Sequence, residues 1–241
     1  MNWVDLAFQR FEQAVGRQEY LDYAEGNPYA EVDAQHFRDV GRLVVDLWGR
    51  KYDPACPIAL VIAARYHDFD RVFPLGHSVD LGIRTKRRMI DTKSLPDSGY
   101  SDNHIKTVVH PKNCAAIFRD YNPDFPQTLQ RDVSFLIERH EVGAEIEGGK
   151  FVRGMDEFTG RFCLNQAADV LCEADGLSFF SVNIYSYVKG RAPGRVREKI
   201  RFSFSKLSAQ GQDLARGMEY HSVEHKGAII DVDALVREAV G

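Results

Sequence analysis

The sequence has little of several features that point to particular classes of protein. Its formal net charge is only −4 over 241 residues. The chain therefore lacks the excess of positive charge that would favour a nucleic-acid polymer or an anionic membrane as the partner. Cysteine is scarce, with four residues and no C-x-x-C pair. The apolar surroundings of Cys56 and Cys114 predict buried, reduced thiols.

Long hydrophobic runs are also missing. The most apolar stretch covers roughly residues 54–64, whereas a helix that spans a bilayer needs about 20 residues. The first residues, MNWVDLAFQRFEQAV, carry Asp5 and Glu12 inside their apolar pattern, and a secretory signal would have a basic start and an unbroken apolar core. We therefore expect no membrane partner and a cytoplasmic location.

Apolar residues recur at helical spacing, and no run alternates convincingly at period two. The spacing predicts helices over residues 3–15 and 33–49. Asp53-Pro54 is a helix start signal, and the helix that follows, ending at His67 and Asp68, is apolar on nearly all sides, which is typical of a helix at the centre of a protein. Further helices are predicted over residues 79–92, 110–121, 128–141 and 158–180.

The remaining segments complete an all-α prediction. The glycine-rich insert from Gly143 to Gly160 is expected to be a loop or a small hairpin. The chain breaks again at residues 191–194, and two or three further helices are expected after that break. We predict a single domain over residues 1–241, a bundle of irregularly crossing helices. Its core would lie in about residues 30–190, with a helical extension over 191–241.

Potential metal ligands lie on or beside core-facing helices. His67 and Asp68 end the most apolar helix, where a buried carboxylate is costly unless a partner neutralises it. The negative end of the helix dipole increases that cost, and a bound cation would offset both penalties. Histidine and carboxylate side chains are ligands that transition metals favour. The other candidates are His36, His110, His140 and Asp175.

The order of these residues resembles the HD superfamily of metal-dependent hydrolases. That family is defined by a histidine, a His-Asp doublet and a late aspartate, and its two-metal members add two histidines between the doublet and the final aspartate. The resemblance covers roughly residues 30–190 and includes the segment ADGLSFF around the late aspartate. The matching residues, in chain order, are His36, His67, Asp68, His110, His140 and Asp175.

The resemblance implies an HD-like helical fold and a ligand set. A first metal would be held by the defining histidine, the doublet and the late aspartate. Asp68 would bridge to a second metal held by His110 and His140, and a water or hydroxide would complete the bridge. The cofactor would be one or two divalent transition-metal ions, with iron, manganese, cobalt and nickel as alternatives.

The implied activity is that of a phosphohydrolase or phosphodiesterase. Its substrate would be a small phosphorylated molecule such as a nucleotide, and metal-activated hydroxide would attack phosphorus. Many family phosphodiesterases continue the doublet with a small residue and a lysine, whereas this chain has Phe69, Asp70 and Arg71. We expect Arg71 to replace that lysine as a hydrogen-bond donor to the substrate phosphate. Lys112 is a second candidate for contacting substrate.

Other residues compete for these roles or add to them. Asp169 is a rival of Asp175, and His104 is a rival of His110, although His104 lies in the polar stretch SDNH. His77 could line the site. A run of basic residues lies on the helix predicted over residues 79–92. These residues either form a solvent-exposed helix face or contact the phosphate of the substrate. That run consists of Arg84, Lys86, Arg87 and Arg88. His140 is followed by Glu141, which departs from the cyclic-dinucleotide subgroup of the family.

Three alternatives stay beside hydrolysis. A few relatives hold a mixed-valence di-iron pair on the same ligands and cleave C–C or C–P bonds with dioxygen. A helical binding protein with a degenerate or structural site is the non-enzymatic alternative. His221, Glu224 and His225 spell H-x-x-E-H, the inverted zinc-protease pattern, but this enzyme would need a further ligand far downstream. The helix led by Trp3 could also pack on a second copy, which makes a homodimer possible.

Overall fold

The computed structural model describes residues 2–16, 30–52, 55–72, 110–143, 163–189 and 191–241, without the side chains of 30–33, 71 and 72. These residues are mostly helical, which confirms the predicted all-α class. They form two compact units, Met1–Cys172 and Glu173–Gly241. The assignment of one domain with its core over about 30–190 stays a prediction.

Five helices and one tight turn build most of the first unit. The helices match the predicted positions over residues 3–15, 33–49, 110–121 and 128–141 to within a few residues at each end. Their bounds are α1 (Trp3–Val15), α2 (Ala30–Lys51), α3 (Ile58–Tyr66), the 3₁₀ turn Phe69–Val72, α4 (His110–Tyr121) and α5 (Gln127–Arg139). A sixth helix, α6 (Leu164–Ser178), contains the division between the two units.

The amphipathic helix α1 has a local start signal and a buried face. The side chain of Asn2 accepts hydrogen bonds from the backbone N–H groups of Val4 and Asp5, which satisfies donors that a helix start leaves unpaired. Phe11 is fully buried on the inner face of the helix. Trp3 packs against Phe125 of the same unit, with ring centroids 5.1 Å apart.

The central helix α3 starts later than the sequence predicts. Residues 55–57 are not helical and the helix begins at Ile58, so the predicted start beside Asp53-Pro54 is wrong. Pro57 has no backbone N–H and disfavours helical dihedral angles at Cys56, which accounts for the later start. As expected for a helix that is apolar on nearly all sides, α3 packs against α1, α2 and α5.

An aromatic cluster connects these elements beside the end of α3. The ring of Phe11 contacts Phe37, Tyr66 and Phe69, with centroids 5.6, 6.0 and 5.7 Å away. All four side chains are fully buried, and each buried aromatic ring of this size contributes roughly 1.5–3 kcal/mol. Phe37 also contacts the ring of His67 at 5.8 Å. The cluster therefore fixes the segment that carries the His67-Asp68 doublet.

The second unit is helical apart from one short hairpin. Its elements after α6 are a π-helical turn (Phe179–Asn183), α7 (Ile184–Lys189), α8 (Pro193–Ser205), α9 (Ala209–Gly217), β1 (Val223–His225), β2 (Ala228–Ile230) and α10 (Val232–Val240). The antiparallel strands are joined by Lys226 and Gly227, both with positive φ, as a tight hairpin turn requires. The helices expected after residues 191–194 are confirmed, whereas the hairpin was not predicted.

Several predicted features lie outside the described residues. They are the helix over 79–92, the insert beyond Gly143, and the candidate residues His77, Arg84, Lys86, Arg87, Arg88 and His104. Within the ranges that the structure describes, none of the helices combines the length and the apolar character needed to cross a bilayer.

Candidate metal centre

Five of the six predicted metal ligands come together in the first unit. They are contributed by α2, by the ends of α3 and α5, and by the start of α4. Each is buried, with an exposed fraction of 6% or less. Such a concentration of imidazole and carboxylate groups is costly unless the groups are paired or bind a metal. The five residues are His36, His67, Asp68, His110 and His140.

Two of the histidines occupy equivalent positions at helix ends. His67 follows α3 and His140 follows α5 as the C-terminal capping residue. Nδ1 of His67 lies 2.8 Å from the carbonyl oxygen of Ala64, and Nδ1 of His140 lies 2.7 Å from that of Ile137. These carbonyls belong to the last helical turn, where intrahelical partners run out. Nδ1–H donates to the carbonyl in each case, so in the neutral imidazole Nε2 carries the lone pair.

Three ligand atoms form the first group in this unit. Nε2 of His36 lies 3.2 Å from Nε2 of His67. Oδ2 of Asp68 lies 3.5 Å from the former nitrogen and 3.6 Å from the latter. Atoms that bind one transition-metal ion at about 2.1 Å are roughly 3.0–3.4 Å apart. The group therefore has nearly the spacing that a shared cation requires.

The other carboxylate oxygen of Asp68 faces a different pair of histidines. Oδ1 lies 2.7 Å from Nε2 of His110 and 3.5 Å from Nε2 of His140. Asp68 thus presents one oxygen to each of two nitrogen pairs. This is the arrangement in which a single carboxylate can bridge two metal ions.

His140 provides an independent test of whether the residues fit a metal. Its side chain is fully buried, and its Nε2 has no hydrogen-bond partner among the residues that the structure describes. Leaving a buried polar atom unsatisfied costs about 1–3 kcal/mol. In a neutral imidazole whose Nδ1–H donates to Ile137, the unsatisfied Nε2 would be an acceptor. A cation beside Asp68 would satisfy it, so the residues present fit a bound metal.

His110 lies between two carboxylates. Its Nε2 is 2.7 Å from Asp68 Oδ1 and its Nδ1 is 2.9 Å from Asp70 Oδ2. Burial lowers the pKa of His110, but the charge of Asp70, the nearby Cys114 and the hydrogen bonds with Asp68 and Asp70 outweigh burial and raise that pKa well above its ordinary value. The ring therefore holds a positive charge, and a metal ion at Nε2 would take the place of that proton.

Cys114 lies one turn after His110 on α4. Its Sγ is 3.7 Å from His110 Nδ1, and it belongs with Asp70 and His110 to a further group of potential ligand atoms within 4.8 Å of one another. Burial raises the pKa of the Cys114 thiol to about 12. The thiol therefore stays protonated at neutral pH while no metal ion is bound.

Sequence reasoning missed Asp70 and Asn113. Asp70 lies in the 3₁₀ turn after the doublet, and Nδ2 of Asn113 donates a hydrogen bond to its Oδ2 at 3.3 Å. Both side chains are buried. The only signal in the sequence was a second acidic residue directly after the doublet, in the string HDFD.

The other candidate ligands and substrate-contacting residues lie on α6, on α4 and in the 3₁₀ turn. Asp175 is half-buried on α6, whereas its rival Asp169 on the same helix is exposed. Lys112 is exposed on α4, about 200° around the helix axis from His110, and this placement does not favour a role beside the cluster. The side chain of Arg71 lies outside the described residues, so its predicted role stays a prediction.

The H-x-x-E-H segment is not helical. Glu224 and His225 lie on β1, and the ring of His221 stacks on Tyr185 with centroids 4.0 Å apart. The zinc-protease interpretation needs both histidines on one face of a helix, and the strand removes that basis.

The comparisons with known proteins add no relatives. No family model, no curated protein and no solved structure matches the chain. Membership of the HD superfamily therefore stays a prediction that depends on the order of six residues along the chain.

Proposed function

We propose that the protein is a metal-dependent phosphohydrolase or phosphodiesterase that acts on a small phosphorylated molecule. The observation that carries this proposal is the position of Asp68, whose two oxygens face separate pairs of histidine nitrogens. A two-metal centre bridged by a carboxylate is well suited to in-line attack on phosphorus.

Two groups of residues would hold the metals. The first group consists of His36, His67 and Oδ2 of Asp68, and the sequence resemblance adds Asp175 as a proposed ligand. The second group consists of Oδ1 of Asp68 with two further histidines, His110 and His140. Mixed nitrogen and oxygen ligation suits iron, manganese, cobalt or nickel.

The protein's own contribution is to hold the ligands and to exclude water. When bound, the two ions would lower the pKa of a water molecule and polarise the phosphoryl group. Nδ1–H of His67 and of His140 are fixed by main-chain carbonyls, so both rings keep Nε2 directed at the centre. Burial lowers the local dielectric constant, which strengthens every charge interaction there. Arg71 lies three residues after Asp68 in the sequence. It is therefore proposed as a hydrogen-bond donor to the substrate phosphate.

Metal analysis of the native protein, together with a panel of phosphomonoesters and phosphodiesters, tests the proposal. We expect two divalent ions per chain and release of phosphate or cleavage of a diester that chelation abolishes. His67→Ala and Asp68→Ala should each abolish activity while the circular dichroism spectrum keeps its helical form. His221→Ala is the matched control, because it removes a histidine on the exposed surface of the second unit. Normal turnover in either cluster variant would refute the site.

A second candidate function is a di-iron oxygenase. The second ligand group contains two histidines and one carboxylate, the set that non-haem iron oxygenases use with open coordination positions. Iron content, dioxygen consumption and an EPR signal from a half-oxidised pair would identify this chemistry. Protein that contains no metal and hydrolyses nothing in the panel would instead favour a non-catalytic binding protein.

A further inference from the structure

We propose that Asp70 is a positioning residue for the second metal, acting through His110. No motif of the sequence assigns a role to Asp70. The inference rests on the proposed two-metal function, because it concerns the strength of one of the two sites.

The His110 ring lies between two carboxylate oxygens. Nε2 faces the bridging oxygen of Asp68 at 2.7 Å, and Nδ1 faces Asp70 Oδ2 at 2.9 Å. With Nδ1–H donating to Asp70, Nε2 would direct a lone pair at the second site once a metal ion displaces its proton. A metal-binding histidine whose other nitrogen donates to a carboxylate keeps its tautomer and its ring orientation and becomes a stronger ligand.

His67 and His140 have a different kind of partner at Nδ1. Nδ1 of His67 and Nδ1 of His140 donate to main-chain carbonyls, which carry no net charge and which no substitution of a side chain removes. The acceptor for His110 is a side chain with a full negative charge. The second site therefore depends on Asp70 in a way that the first group does not.

Asp70 is itself held in place. It is 7% exposed, and its 3₁₀ turn packs against α4, the helix that begins with His110. Nδ2 of Asn113 donates to Oδ2 at 3.3 Å. Oδ1 has no hydrogen-bond partner among the described residues. Among the side chains that the structure describes, His110 is the one that forms an ion pair with Asp70, so the charge of Asp70 acts on that ring.

Two substitutions separate the charge from the hydrogen bond. Asp70→Asn keeps the shape and an acceptor oxygen for Nδ1–H but removes the charge, whereas Asp70→Ala removes both. We expect Co²⁺ titration of the full chain, followed by ligand-field absorption and equilibrium dialysis, to show two binding steps in the wild type. The step assigned to the second site, which is the step that His140→Ala should remove, should weaken about tenfold in Asp70→Asn and about 100-fold in Asp70→Ala, while the other step changes less than twofold.

Control variants distinguish positioning from a merely structural role. Asp132→Asn removes the charge of another fully buried carboxylate, whose partner is Arg131 at 2.8 Å, and should leave both Co²⁺ steps unchanged. Cys114→Ala removes the neutral neighbour of His110 and should change the step of the second site less than Asp70→Asn does. If Asp70→Ala does not fold, Asp70→Asn alone decides the test.

The outcomes separate this inference from the function on which it rests. Equal losses in both steps, or unchanged steps in Asp70→Asn, would overturn the role of Asp70 while two metals remained. A wild-type chain that binds fewer than two Co²⁺ ions would overturn the two-metal function itself.

Discussion

Asp68 and His140 make different contributions to the proposed centre, because Asp68 faces both nitrogen pairs and His140 faces one carboxylate oxygen. We expect His140→Ala to retain one ion per chain and Asp68→Ala to retain none after dialysis, as measured by elemental analysis. The reason is that loss of the bridge weakens both sites, and also leaves the histidine rings without the negative charge that attracts a cation.

The matched control for this stoichiometry is His221→Ala, which should keep two ions per chain. A His140→Ala protein with as many ions as the wild type would show that His140 is no ligand. One tightly held ion in Asp68→Ala would show that the carboxylate is not the common ligand. Either result can be read without any assay of turnover, so it does not depend on knowing the substrate.

Helices whose start or buried face depends on nearby residues were predicted correctly from the sequence. The apolar spacing and the Asn2 cap account for α1, and the spacing over residues 110–121 accounts for α4. The predicted start of α3 was wrong because Asp53-Pro54 matches the pattern of a helix start, whereas the helix begins directly after Pro57. The hairpin was missed because strands of three residues are too short for an alternating pattern to be recognised.

The candidate site was predictable to the extent that its residues mark helix ends. His67 and His140 follow apolar helices, so their positions were evident in the sequence. The role of Asp70 was not evident, because it depends on a contact with His110, 40 positions away along the chain. Contacts of this kind arise from the packing of elements, and the spacing of apolar residues does not specify them.

A buried hydrogen bond connects α1 with α3. The hydroxyl of Tyr66 donates to the carbonyl oxygen of Ala7 at 2.7 Å in a buried position. Tyr66→Phe should lower the free energy of unfolding by about 1 kcal/mol, the typical worth of one hydrogen bond, as measured by urea denaturation. Two bound metals should remain, since the ring still packs in the aromatic cluster.

Tyr220→Phe is the comparison for this variant. The hydroxyl of Tyr220 also donates to a helix carbonyl, that of Ala215 at 2.6 Å, but its surroundings are only partly buried. Water can replace the lost partner there, so the destabilisation should be smaller than in Tyr66→Phe. Equal effects would mean that burial of the Tyr66 hydrogen bond contributes nothing to the docking of α1.

For the molecule as a whole, we expect the buried cluster to oppose folding unless a cation neutralises it. The polar groups that line it are removed from water, and His140 Nε2 gains no hydrogen bond within the described residues in return. A ligand that binds only the folded chain stabilises it by mass action. The metal should therefore act on the stability of the protein as well as on its chemistry.

Thermal unfolding with and without added metal measures this coupling. At an ion concentration 100 times the dissociation constant, the stabilisation is about 2.7 kcal/mol, which for a chain of this size corresponds to a rise in Tm of about 5–10 °C. Chelation should reverse the rise. Asp68→Ala should show almost none of it, because the variant lacks the carboxylate common to both groups. An equal rise in the wild type and in Asp68→Ala would place the stabilising ions elsewhere on the chain, and the buried polar groups would then have to be stable without a cation.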